Sequence, residues 1–253
     1  MGFTGSLLTG RRLLKASAET NLKVVTLELG GKSPTIIFED ADFEQALKWA
    51  ARGILYVFLL NLPSTRIDRT CGSSPNMGQS CTAGSRIFVQ ESIYPAFLER
   101  FTALAKDLTD HTGSPFDPDT QHGPQISQTQ FDRVMGFIDS GKQEGAKIAI
   151  GGERHGQEGY FIKPTVFTNV NPKMSIMQDE IFGPVCSIMK FKTEEGEYQT
   201  FHFELNADQM RPSEVLEIAN DVAYGLGANV FTENSSRAIR VANHLEAGSV
   251  FVG

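Results

Sequence analysis

Thr35-Ile-Ile-Phe-Glu-Asp-Ala-Asp-Phe-Glu-Gln-Ala-Leu-Lys-Trp-Ala-Ala-Arg52 reads as a β-strand, Thr35–Phe38, an acidic turn, and a helix, Asp42–Arg52. The acidic residues at the helix entry suit its positive N-terminal end. The same alternation extends outward from there. Before it, Phe3 to Gly10 reads as a turn entering helix Leu8–Ala18, and strand Val24–Leu27 follows. After it come strand Arg86–Gln90, helix Ile93–Leu108, helix Ser127–Glu144, strand Lys147–Ile150, and strands Thr165–Asn169 and Val185–Lys190. Helix Glu214–Asp221, strand Asn229–Phe231, helix Ser235–Leu245 and strand Ser249–Val252 close the series. Strands separated by helices predict an α/β fold with a mostly parallel sheet and helices on its faces. Pro115, Pro118 and Pro124, set among Asp, Gly and His, predict a surface loop between Asp110 and Gln130.

At 253 residues and 40% hydrophobic, the chain is long enough for one sizeable α/β core, or a domain plus part of another. A net charge of −7 and a pI near 5.3 argue against nucleic acid or an anionic membrane as partner, because both demand a basic footprint. The longest apolar run, Ile54 to Leu60, is too short to span a bilayer. Three cysteines, Cys71, Cys81 and Cys186, cannot form a paired framework and suit a reducing compartment. No secretory signal opens the chain, and a cytoplasmic protein is expected. No metal site is expected: His111 and His122 have no Cys or Glu at ligand spacing.

Two stretches carry candidate chemistry. In Met77-Gly-Gln-Ser-Cys-Thr-Ala-Gly-Ser-Arg86, one thiol, Cys81, stands among small residues that leave sulfur and backbone N–H groups uncrowded, as a nucleophile needs. A small inert cysteine in a tight turn explains the same residues equally well. In Val25-Thr-Leu-Glu-Leu-Gly-Gly-Lys-Ser-Pro34, one carboxylate, Glu28, ends a β-type run before two glycines, and by itself it reads equally as an edge glutamate facing water. Gly5 and Ser6 stand at a helix entry that can cap the helix or bind an anion, although no P-loop is present.

Taken in order with Asp179-Glu-Ile-Phe-Gly-Pro-Val185, these motifs resemble the aldehyde dehydrogenase superfamily. Phe3 to Ser6, Gly159 to Phe167, Tyr224 to Leu226 and Ala247 to Val250 extend the resemblance over nearly the whole chain. It implies a three-layer catalytic domain over 31–253, with 1–30 as a remnant of the dinucleotide-binding domain. It further implies oxidation of an aldehyde to a carboxylic acid with NAD or NADP, through a cysteine thiohemiacetal and a thioester. Cys81 matches the nucleophile and Glu28 the base that activates water. Glu180 matches the carboxylate on the nicotinamide ribose, Phe182 lies beside the ring, and Gly5 and Ser6 match a segment lining the diphosphate. A small-molecule aldehyde is the implied substrate, and a homo-oligomer is implied for the full-length family member.

The resemblance begins about halfway through the family's usual sequence, so most of the nucleotide-binding domain, including the asparagine that completes the family's oxyanion hole, is expected to be missing from these residues. Segments 57–75 and 196–213 interrupt it, and joining Glu195 to Glu214 restores an unbroken helix entry, as if both were retained introns. Three functions therefore remain open: an active NAD(P)-dependent oxidoreductase, an inactive fragment or intron-retaining gene model, and a thiol esterase using Cys81 and Glu28 without cofactor. For the 253 residues by themselves, poor solubility and no measurable NAD binding are expected.

Overall fold

A computed structural model describes residues 1–55, 76–192 and 214–253. The interrupting segments 57–75 and 196–213, with Cys71, lie outside the described residues. The chain opens with β1 (Gly2–Thr4), α1 (Leu7–Glu19) and β2 (Thr26–Glu28), and β1 and β2 pair in parallel as a sheet of their own. The sequence predicts a turn at β1 and a strand at Val24–Leu27. Pairing decides the difference: the Thr26 N–H reaches the Met1 carbonyl at 2.9 Å, so β1 forms and the register starts at Thr26, while Val24 stays exposed.

The rest builds around β3 (Pro34–Ile37), α2 (Phe43–Arg52), β4 (Arg86–Gln90), α3 (Tyr94–Asp110), α4 (Gln128–Gln143), β5 (Lys147–Ile150), β6 (Thr165–Thr168), α5 (Ser175–Gln178), β7 (Val185–Phe191), α6 (Glu214–Asn220), β8 (Gly227–Phe231), α7 (Ser235–His244) and β9 (Ser249–Val252). Seven strands form one sheet in the order β5-β6-β7-β4-β3-β8-β9, parallel except where edge strand β5 runs antiparallel to β6. The mostly parallel α/β fold read from the alternation is therefore the observed one. Helices α2 and α4 start one residue later than expected. Asp42 and Ser127 are N-caps, their side chains accepting from the Gln45 and Gln130 N–H groups at 3.0 and 3.2 Å. Short helix α5 was not foreseen.

The central strands are buried on both faces, which is why they read as unbroken apolar runs. Ile36, Phe38, Phe88 and Phe167 join one core with residues of α4, α6 and α7. Ile37, Ile87, Val89, Val166 and Ile188 point the other way, into a core with α2 and α3. The alternation of side chains along each strand thus divides the interior into two, giving three layers.

Sheet order also fixes the neighbours of every loop. β7, β4 and β3 are adjacent and parallel, so the segments entering them lie side by side at one edge: Asp179–Pro184 before β7, the Cys81 turn before β4, and Glu28–Ser33 before β3.

Candidate active site

Glu28 is the last residue of β2 and is exposed, and its carbonyl accepts the Gly5 N–H at 3.0 Å, which draws Gly5 and Ser6 to the same strand end. Ser6 caps α1: its hydroxyl oxygen accepts from the Thr9 N–H at 3.3 Å. No acidic residue occupies the first turn of this thirteen-residue helix, so its N-terminus presents positive potential without an internal counter-charge.

Cys81 is half-buried in the turn that enters β4. Asn76, Met77 and Gly78 before it all adopt positive φ, at 37°, 54° and 70°. This left-handed course brings Gly78 against the next loop, where a methyl group on it would overlap the carbonyl oxygen of Gly183. After the thiol, the Ala83 N–H returns to the Ser80 carbonyl at 3.1 Å and the Gly84 N–H reaches the Gly53 carbonyl at 3.1 Å, tying the turn to the end of α2.

Gly31 joins the three loops. Its Cα faces the Cys81 carbonyl so closely that a side chain would overlap it, and its N–H donates to Oε1 of Glu180 at 3.1 Å. The Glu180 carboxylate also packs on Gly30 where a side chain would otherwise stand. Burial raises the pKa of Glu180 above the usual carboxylate range, and the Gly31 N–H bond, Arg133 and Lys32 oppose the rise. Phe182, two residues on, is half-buried and held at φ 61°. Cys81, Glu28, Glu180, Phe182, Gly5 and Ser6 thus fall in one connected set of loops.

Four residues that the sequence reading did not single out complete this region. Gln130 and Arg133 on α4 donate to the backbone carbonyls of the Glu180 loop. Lys32 follows Gly31, is 2% exposed, and has no hydrogen-bond partner at Nζ; burial, with Arg86 second, brings its pKa down to about 7. Arg86, 1% exposed, donates to the carbonyls of Lys32 at 2.8 Å, Ile218 at 3.1 Å and Ala219 at 2.8 Å. It thereby caps the last turn of α6 from inside the core. Lys32 is flanked by Gly30, Gly31, Ser33 and Pro34, which do not mark it for burial, and spacing alone does not name the carbonyls that receive Arg86.

His122 lies apart from this cluster. It is fully buried, with Nδ1 and Nε2 each 3.1 Å from a carbonyl oxygen, those of Leu55 and Ile162, so both ring nitrogens are engaged by backbone. Among the described residues, no helix is long and apolar enough to cross a membrane.

The family model for the aldehyde dehydrogenase family matches residues 1–57, 69–200 and 207–253. The unmatched stretches, 58–68 and 201–206, fall inside the two segments that interrupt the resemblance. An aldehyde dehydrogenase of Emericella nidulans is 48% identical over 252 residues, and one of Agaricus bisporus is 45% identical, each match covering 100% of this chain and 43% of the relative. Among solved structures, the NAD+ complex of aldehyde dehydrogenase from Bacillus cereus matches with a TM-score of 0.82 at 41% identity, covering 99% of this chain and 43% of that one. Betaine aldehyde dehydrogenase from Staphylococcus aureus in complex with NAD+ matches at 0.80 and 37%, covering 99% and 43%. The chain spans less than half the length of these relatives, but the matched residues run along nearly all of it: the chain belongs to the aldehyde dehydrogenase family.

Proposed function

We propose that this chain forms the thiol-bearing part of an NAD- or NADP-dependent aldehyde dehydrogenase, converting an aldehyde to a carboxylic acid. The observation that carries the reading is Gly31, which touches the backbone of the candidate nucleophile and the carboxylate of the candidate cofactor loop at once. Residues 1–30 would belong to the dinucleotide-binding domain and 31–253 to the catalytic domain, in keeping with the separate β1–β2 sheet.

The residues present fit a dinucleotide. The open N-terminus of α1 beside Gly5 and Ser6 suits a diphosphate, and Glu180, with Oε1 held by Gly31, has a second carboxylate oxygen for a ribose hydroxyl. Phe182 would border the nicotinamide. The bound dinucleotide would supply the hydride acceptor. Cys81, as thiolate, adds to the aldehyde carbon and forms a thiohemiacetal, and neighbouring N–H groups of its turn oppose the charge that develops on oxygen. Oxidation of that adduct leaves an acyl thioester on Sγ. Glu28 then takes a proton from water as the water attacks the acyl carbon; the C–S bond breaks, the Cys81 thiolate is regenerated on the protein, and the carboxylic acid departs.

The comparison that tests this is NADH formation from an aldehyde by a protein of the relatives' full length carrying this chain, against its Cys81→Ala variant. Turnover should disappear in the variant. If Cys81→Ala still produces NADH, the nucleophile is another group and the assignment fails. Ester hydrolysis persisting without NAD(P), with no aldehyde oxidation, would point to thiol esterase chemistry.

A further inference from the structure

Helix α4 is not part of the loop cluster, yet one of its faces grips that cluster at consecutive peptides. Gln130 Nε2 donates to the carbonyls of Ile181 at 3.2 Å and Phe182 at 2.7 Å. One turn on, Arg133 Nη2 donates to the Glu180 carbonyl at 2.7 Å. Val134, adjacent on the same face, packs against Gly183 so closely that any side chain there would overlap it. Positions 130, 133 and 134 share a helix face, so a rigid element meets 180–183 residue by residue. The gripped segment runs a course it would not take unaided, because Phe182 sits at φ 61°, a region that costs a non-glycine residue on the order of 1 kcal/mol or more.

We propose that Gln130 and Arg133 are positioning residues of the site, a two-pronged clamp that holds the Glu180–Phe182 backbone in its left-handed course and so presents the Glu180 carboxylate and the Phe182 ring preformed. The purpose of the clamp rests on the reading of Glu180 and Phe182 as cofactor residues; the clamp itself does not. The division of labour follows from the chemistry of the two donors. The Gln130 amide carries two N–H bonds on one nitrogen and spans two successive carbonyls, which fixes the peptide plane between them. Arg133 fixes the carbonyl of the residue whose side chain must be aimed, and its charge, like that of Lys32, opposes the burial that raises the Glu180 pKa. On the remaining sides the Glu180 carboxylate meets the Gly31 N–H and the Glu180 backbone N–H meets the Tyr224 hydroxyl, a third anchor on the same segment that leaves the carbonyls of 180–182 to α4. A loop left free to sample several courses would lose binding to the ordering that the clamp supplies in advance.

The Gly31 amide provides the test, because its bond to Glu180 Oε1 reports where the carboxylate is without any cofactor. Hydrogen exchange measured by NMR on the chain should show the Gly31 amide exchanging at least about tenfold faster in Gln130→Ala/Arg133→Met, with Ile36 and Ile87 in the sheet unchanged. Arg133→Lys keeps one donor and should restore much of the protection to a Gln130 wild-type background. Unchanged Gly31 exchange in the double variant overturns the clamp, as does acceleration spread equally over Ile36 and Ile87, which marks α4 as ordinary packing. Where the double variant fails to fold, Arg133→Met alone is read against Arg133→Lys by the same criteria. Failure of the cofactor reading is separate: it would leave the Gly31 result intact while Glu180→Gln had no effect on dinucleotide binding by the full-length protein.

Discussion

Lys32 carries an amine into a fully buried position beside Arg86, with no hydrogen-bond partner to repay desolvation, and its pKa falls from 10.5 to about 7. Between pH 7 and 10.5 the folded chain therefore binds fewer protons than the unfolded one, and this group makes stability rise with pH across that window. Below about pH 7 both states carry the ammonium and the fold bears the whole cost. Lys32→Met should stabilise the chain by a few kcal/mol, on the order of the pKa shift converted, at pH 6, and the gain should shrink as pH approaches 10. Urea unfolding at pH 6 and pH 9 checks it, and equal gains at both would mean that the amine is not the source. Glu28 makes a different demand. It is exposed at a strand end, where its carboxylate is open to water, and the proposed role begins only after oxidation. In a full-length protein Glu28→Gln should leave a burst of NADH followed by near-arrest as acyl-enzyme accumulates. Loss of the burst itself would place Glu28 earlier, at the Cys81 proton.

At the level of elements, the turn before β4 depends on Gly78. It needs a positive φ there and touches Gly183 with no room for a methyl group. Gly78→Ala should destabilise the chain by roughly 1–3 kcal/mol and shift the Cys81 turn off the β7 loop. Thermal unfolding together with the rate of Cys81 alkylation measures both effects, and a variant unchanged in each would show that the two loops are not in register as described. Most strands and helices of the main sheet were legible in sequence, because burial on both faces leaves runs such as Thr35–Phe38 and Arg86–Gln90 that period and flanking turns bracket well. β1 was not legible, since three residues carry no period and the strand exists only because β2 pairs with it. Among the candidate site residues, Cys81, Glu28 and Glu180 are singled out by the resemblance of their motifs, taken in order, to the family, and not by any one motif read alone. Gln130 and Arg133 did not, because their partners are backbone carbonyls some fifty residues away and carry no side-chain signature.

Over the whole molecule, protection from water is unevenly shared. The seven-stranded sheet has a core on each face, whereas the β1-α1-β2 unit buries only Gly10 within its helix and leaves Leu8, Leu14, Leu22 and Val24 exposed. Two three-residue strands, the Ser17 hydroxyl bond to the Lys23 carbonyl at 2.6 Å and the packing of Leu29 on Gly10 hold it together. That is little against the backbone entropy of ordering some thirty residues, at about 1 kcal/mol or more each. The unit should therefore open locally before the sheet unfolds. Amides of α1 should exchange with solvent orders of magnitude faster than those of β3 and β4 in the same sample. Its exposed apolar side chains should also drive self-association, so that Leu8→Gln/Leu14→Gln raises the monomer fraction in light scattering while leaving the unfolding midpoint of the main sheet in place. Exchange in α1 as slow as in β3 would show that the unit folds cooperatively with the sheet, and the contacts of Gly30 and Gly31 with Cys81 and Glu180 would then be carrying far more stability than their number suggests.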